Sequence, residues 1–168
     1  SYAGYAKEYG AREVAASGGL TTWLLIYLLE NKFIDGIIHV RPTDERNNLF
    51  KYQISKSVPE ILEGAKSKYY PVELSEVLEE LKLINGKFAI VGVPCFIKAI
   101  RLLTRFDKEL DGKIKYCIGL VCGHLKSDFF AKMFGWHCGI NPNNLESIDF
   151  RTKLKGQSSN NYGVTVSD

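Results

Sequence analysis

Apolar residues along this chain follow two alternating rhythms. Short unbroken runs suit buried strands, and longer stretches with an apolar residue every third or fourth position suit helices. The stretch KFAIVGVPCFIKAIRLL, 87–103, holds one of each. Phe88 to Val91 is a continuous run, and Phe96, Ile97, Ala99, Ile100, Leu102 and Leu103 recur at helical spacing. Pro94 and Cys95 occupy the turn between them.

The same alternation runs through the rest of the chain. ASGGLTTWLLIYLLENK reads as a glycine turn and a helix, with Ser17 as N-cap and Leu24, Leu25, Leu28 and Leu29 on the buried face. IDGIIHV and LFKYQIS are strands separated by the polar RPTDERNN. Pro59 opens a short helix, SKYYP is irregular, and LSEVLEELKLI is an amphipathic helix closed by Asn85-Gly86. KIKYCIGLVC is a strand, GHLKS leads into a helix through DFFAKMFGW, and NPNN interrupts the chain. LESIDFR and NYGVTVS then pair as antiparallel strands. The expected fold is α/β, with a mainly parallel central sheet flanked by helices and an antiparallel extension at the C-terminal end. Residues 37–40, 88–91 and 116–121 are expected in one sheet.

Composition changes this picture little. A chain of 168 residues, 45% hydrophobic and 24% charged, is long enough for one well-cored domain. A net charge of +3 with no basic run or basic–aromatic face argues against a nucleic-acid partner. The longest apolar run, Trp23 to Leu29, is too short to span a bilayer. The opening SYAGYAKEYG lacks the basic and apolar regions of a signal peptide, and both ends read as cut. Residues 1–168 are therefore expected to be a single α/β domain from a longer protein. Four cysteines without zinc spacing suit a reduced, cytoplasmic setting better than a disulfide scaffold.

Chemistry is expected where strands end, because ligands of open parallel sheets gather at carboxyl ends. Cys95, at the start of a helix, has the position of a nucleophile or metal ligand, since a helix N-terminus favours the thiolate. Cys122 ends the next strand, so the two thiols suit an iron–sulfur cluster, which takes four, or a redox dithiol. The simpler alternative makes both small buried hydrophobes. Cys117, inside its strand, is expected in the core. Cys138 beside His137 is read as structural, and His39 as a satisfied core or edge histidine. His124 is a candidate acid or base, a cluster neighbour or a helix cap. Ser17, Gly18 and Gly19 with Thr21 and Thr22 form either a phosphate-binding turn or an ordinary helix start. Arg151, Lys153 and Lys155 alternate, so on a strand they share one face. That row grips an anion or is simply solvated.

These segments, in order, resemble the coenzyme F420 hydrogenase/dehydrogenase beta-subunit family. The resemblance rests on ASGGLTTWLLIYLLENKFIDGIIHV, SKYYP, GKFAIVGVPCFIKAIRLL, KIKYCIGLVCG and IDFRTKLKG, from about Ala15 through Gly156. It implies a flavoprotein carrying FAD and a 4Fe-4S cluster, with some ligands outside these residues. Family members include the subunit of an archaeal hydrogenase that reduces F420, related dehydrogenase subunits and a hydroxymethyl chlorophyll reductase. By the resemblance, Ser17, Gly18, Gly19, Thr22, Ser67, Lys68, Tyr69, Pro94, Arg151 and Lys153 would bind cofactor, and Cys95 and Cys122 would face the cluster or flavin. The chain departs from the family at Gln157, often tryptophan, and at Phe96, often glutamine.

Three functions follow as expectations. The first is an oxidoreductase domain passing electrons between a cluster, FAD and a small molecule, F420 among the candidates, with a partner subunit or ferredoxin-like domain. The second is a non-catalytic electron-transfer or assembly module that docks a partner. The third makes Cys95 a nucleophile with His124 as its base.

Overall fold

A computed structural model describes residues 2–45, 48–158 and 160–168. Its helices are α1 (Ala11–Val14), α2 (Leu20–Glu30), α3 (Val58–Glu63), α4 (Ser75–Leu83), α5 (Pro94–Phe106) and α6 (Asp128–His137). Its strands are β1 (Gly36–Pro42), β2 (Phe50–Ser55), β3 (Phe88–Gly92), β4 (Ile114–Gly119), β5 (Ser147–Lys153) and β6 (Tyr162–Ser167). The main sheet has the order β2-β1-β3-β4. Its β1–β3 and β3–β4 pairs are parallel, whereas β1 and β2 run antiparallel. A separate antiparallel sheet joins β5 to β6. The expected α/β architecture is present, with the three central segments side by side.

The unbroken apolar run of β3 has a direct cause. Phe88 and Ile90 enter a cluster with Val77, Leu78, Leu81 and Ile100 from α4 and α5. Ala89 and Val91 enter another with Leu25, Ile26 and Leu28 from α2. A strand covered on both faces has no polar side to alternate with. A third cluster joins the two sheets: Phe50 of β2 packs with Tyr70, Ala131, Ile148 and Phe150. The Phe130 and Phe150 rings stack at 5.8 Å between centroids.

The structure corrects three local expectations. The N-cap of α2 is Gly19 at φ 75°, not Ser17. A side chain at Gly19 would put its Cβ 2.5 Å from the Ala11 carbonyl oxygen of α1, a helix with too few residues to show periodicity. The buried face of α2 is Thr22, Leu25, Ile26 and Leu28, with Leu24 and Leu29 only half covered. Cys117 is exposed rather than in the core, because β4 is the edge of the sheet and its faces are incompletely covered.

His39 is the buried histidine of the sheet, 4% exposed, with Nε2 2.7 Å from Ser55 Oγ. Burial pushes its pKa down to about 4, helped by the charges of Arg41 and Lys68 and opposed by Glu60. In the unfolded chain the imidazole takes up its proton near pH 6.5. The folded state therefore loses stability as pH falls from 6.5 towards 4, by on the order of 3 kcal/mol at the lower end. Urea unfolding of the parent and of His39→Gln across that range checks this. The parent should lose the extra increment, and parallel curves would contradict it.

Candidate functional site

The loop before SKYYP folds against β5 because one residue adopts an unusual backbone. Lys66 sits at φ 73°, uncommon for a residue with a side chain. Its ammonium is ion-paired with Asp149 of β5, 83 positions later. Burial alone would raise the Asp149 carboxyl pKa. The Lys66 ammonium, the Arg151 amide and the Thr152 hydroxyl together pull it below the usual range. Between this loop and the start of β5 lies a cavity of about 480 Å³, whose wall holds the cations Lys66 and Lys68 and the Ser67 hydroxyl beside the carboxylates of Glu13, Glu63, Glu146 and Asp149.

Lys68 is the unusual cation of that cavity. Its Nζ donates to the Ala65 carbonyl at 2.6 Å and lies 5.4 Å from the centre of the Phe50 ring. Burial pushes its pKa down to about 8; Asp149 and Glu63 oppose this and Lys66 adds to it. An amine so placed gains more than a solvated lysine from an incoming anion. Tyr69 turns the other way: its ring meets Phe150 at 5.5 Å and Phe130 at 6.4 Å, within the aromatic cluster.

The glycine turn and the C-terminal row come together although 136 residues separate them. Lys153 Nζ donates to the Arg12 carbonyl and lies 3.5 Å from the Ser17 carbonyl oxygen. The glycines, however, face the protein's own backbone. A Cβ on Gly18 would lie 2.5 Å from the Gly4 carbonyl oxygen, and Ala6 N–H donates to Gly18 O at 2.7 Å. Their freedom serves this close internal approach first. Thr22 is buried, Thr21 half-buried and Ser17 exposed. Arg151 places its guanidinium 4.3 Å from the Tyr162 ring centre.

The cysteines lie elsewhere. Gly92 of β3 pairs with Gly119 of β4, and Cys95 and Cys122 each follow three residues later, after parallel neighbouring strands. Both thiols are exposed, as are Cys117 and Cys138. Pro94 and Cys122 help line a groove of about 660 Å³ between α5 and the end of β4. Among the described residues no group of three or more His, Cys, Asp or Glu side chains is placed to hold a metal ion. Two thiols supply half the ligands of a four-thiolate cluster, so these residues alone do not complete one. His124 is exposed, and no hydrogen bond joins it to Cys95 among the described residues.

Sequence reasoning missed Lys66 and Asp149, whose pairing no local spacing reveals. It also missed Lys98, Arg101 and Arg105 on the wall of the groove. Their positions, three and then four residues apart, are a helix-face signal that was available. No helix among the described residues is long and apolar enough to cross a membrane.

Two family models match the chain, both describing the beta subunit of coenzyme F420 hydrogenase/dehydrogenase. The model of its N-terminal part covers residues 1–79, and the model of its C-terminal part covers residues 85–167. A coenzyme F420-dependent sulfite reductase of Methanocaldococcus jannaschii is 32% identical over 88% of this chain and 26% of its own length. The F420-dependent formate dehydrogenase subunit beta of the same organism is 31% identical over 86% of this chain and 38% of its own. The chain thus spans well under half the length of these curated relatives. A chain in the F420-reducing [NiFe] hydrogenase complex of Methanosarcina barkeri shares the fold, with a TM-score of 0.71 and 22% identity. That match takes in 96% of this chain and 57% of the hydrogenase chain.

The geometry around Lys68 makes a spectroscopic prediction. In a ¹³C-lysine NMR titration, the Lys68 Cε resonance should move with a midpoint near 8, well before ordinary lysines at about 10.4. Because the folded pKa is the lower one, stability should rise with pH between these values. A Lys68 midpoint above 10 would contradict the desolvated environment.

Proposed function

The chain belongs to the coenzyme F420 hydrogenase/dehydrogenase beta-subunit family, and from that premise we propose that it is the redox-cofactor domain of an F420-linked oxidoreductase. In this reading it carries FAD and contributes two thiols to a 4Fe-4S cluster completed by residues outside this chain. Electrons pass between the cluster, FAD and a small-molecule acceptor or donor, with deazaflavin F420 the first candidate. A partner subunit or ferredoxin-like domain supplies or receives them in the cytoplasm. Bound flavin would supply hydride and single-electron chemistry; the residues here would supply its binding and orientation.

The observation that carries the reading is the cavity beside Lys68. Its desolvated ammonium and the Ser67 hydroxyl are suitable donors for a pyrophosphate. Lys66, held by Asp149, keeps the loop against β5. Lys153 fixes the Ser17–Thr22 turn next to the same strand, so the half-buried Thr21 and Arg151 can extend the binding surface, while Thr22 is buried within α2. Because the Gly18 and Gly19 faces are filled by the protein's own chain, these residues shape the turn rather than admit a phosphate. Pro94 starts α5 and so sets where Cys95 stands. Cys95 and Cys122, exposed at adjacent strand ends, would face the cluster. A Cys95–His124 nucleophile pair has no geometric support of this kind.

Titration of the chain with FAD, followed by flavin fluorescence without oxygen, tests the proposal. Binding should be saturable but weak, since much of the relatives' length is missing here. Lys68→Met should weaken it roughly tenfold, the scale of one charge-assisted hydrogen bond. No saturable quenching, or equal affinity in Lys68→Met, would overturn the assignment.

A further inference from the structure

We infer that the groove between α5 and β4 is a docking surface for a protein whose contact face sets carboxylates around an apolar centre. Lys98, Arg101 and Arg105 lie along one side of α5 and line this groove, with Leu102, Leu120 and Val121 as apolar wall. No Asp or Glu is among its lining residues. All three cations are exposed, and none has an ion pair among the described residues. The strand bordering the groove is the edge of its sheet, with Lys115, Tyr116 and Cys117 exposed in succession.

Between a small anion, a second copy of this chain and a protein of complementary charge, the chemistry selects the last. A small anion would satisfy the cations but leave the surrounding apolar surface wet: Phe106 at the end of α5 is 84% exposed and Val121 fully so. A second copy of this chain, related by a twofold axis through the groove, would bring the α5 cations towards their own counterparts, and like charges facing each other are costly. A protein face with an apolar centre and acidic rim matches both features, in the usual arrangement of an interface with its apolar core and polar border. Cys122 stands in the groove wall. A redox partner docked here would therefore sit beside the strand end assigned above to the cluster; this last point rests on the redox reading, whereas the docking itself does not.

The test uses the ¹⁵N-labelled 168-residue chain without flavin or iron. Two synthetic peptides share the same leucine and phenylalanine positions, one filled in with glutamate and the other with lysine. The glutamate peptide should shift amides across 97–105 and 119–122, and its affinity should fall roughly tenfold on going from low salt to about 0.3 M. The triple variant Lys98→Glu, Arg101→Glu, Arg105→Glu should lose that peptide and bind the lysine one. The remote Lys7→Glu should behave as the parent. Unchanged amide positions elsewhere verify that the triple variant is folded. Equal binding of both peptides by the parent would overturn the proposal. So would the same shifts from tripolyphosphate with none from the glutamate peptide, or a parent dimer in sedimentation that the triple variant dissociates. A chain that docks the glutamate peptide yet never takes FAD leaves this surface standing and removes the redox reading instead.

Discussion

Phe88 and Ile90 on one face of β3, and Ala89 and Val91 on the other, are buried by helices from both sides. At roughly 1.5–3 kcal/mol for each large apolar side chain removed from water, this double burial ties the helices on both sides to one central strand. It also fixes direction. With β1 and β4 both parallel to β3, the carboxyl end of β4 lies beside that of β3. The first turn of α5, carrying Cys95, follows β3 at the same end of the sheet as the segment after β4 that carries Cys122. Helix α5 must turn back over the sheet immediately, which is why Pro94 at its first position and Ile100 in the core are such effective residues.

The second constraint is the union of the two sheets. The aromatic cluster of Phe50, Tyr69, Phe130 and Phe150 presses β5 towards β2, and the Lys66–Asp149 and Lys153–Arg12 contacts hold it at two points. These ties bring the glycine turn, the SKY loop and the C-terminal row to one strand. Without them three distant segments would share nothing. The cost is a half-buried, electrostatically crowded Lys68, whose lowered pKa follows from desolvation more than from any one neighbour.

Periodicity made most elements legible, because α4 and α5 are amphipathic and β3 is wholly apolar, whereas α2 is apolar on nearly every side. It failed where the deciding contact is distant or the element is brief. Gly19 caps α2 since Ala11 crowds it, and Ala11–Val14 is a single turn with no repeat to detect. Cys117 looks like a core residue among Ile118, Leu120 and Val121, yet strand order rather than local composition decides that β4 is an edge. Among the candidate ligands, Cys95 lies at the start of α5 and Cys122 three residues beyond β4, which ends at Gly119 rather than at the cysteine as the apolar run suggested. The pairing of Lys153 with the Ser17 turn, and the inward turn of Tyr69, depend on tertiary packing that no spacing encodes.

The central claim is that the cleft between the SKY loop and β5 holds the phosphates of a flavin nucleotide. Amide chemical-shift mapping on adding FAD addresses it most directly. The account predicts a contiguous set of shifts over Lys66–Tyr69 and Asp149–Lys153, with a weaker one at Thr21. Shifts confined to the α5–β4 groove, or absent from the Lys68 cavity while flavin binds, would contradict it.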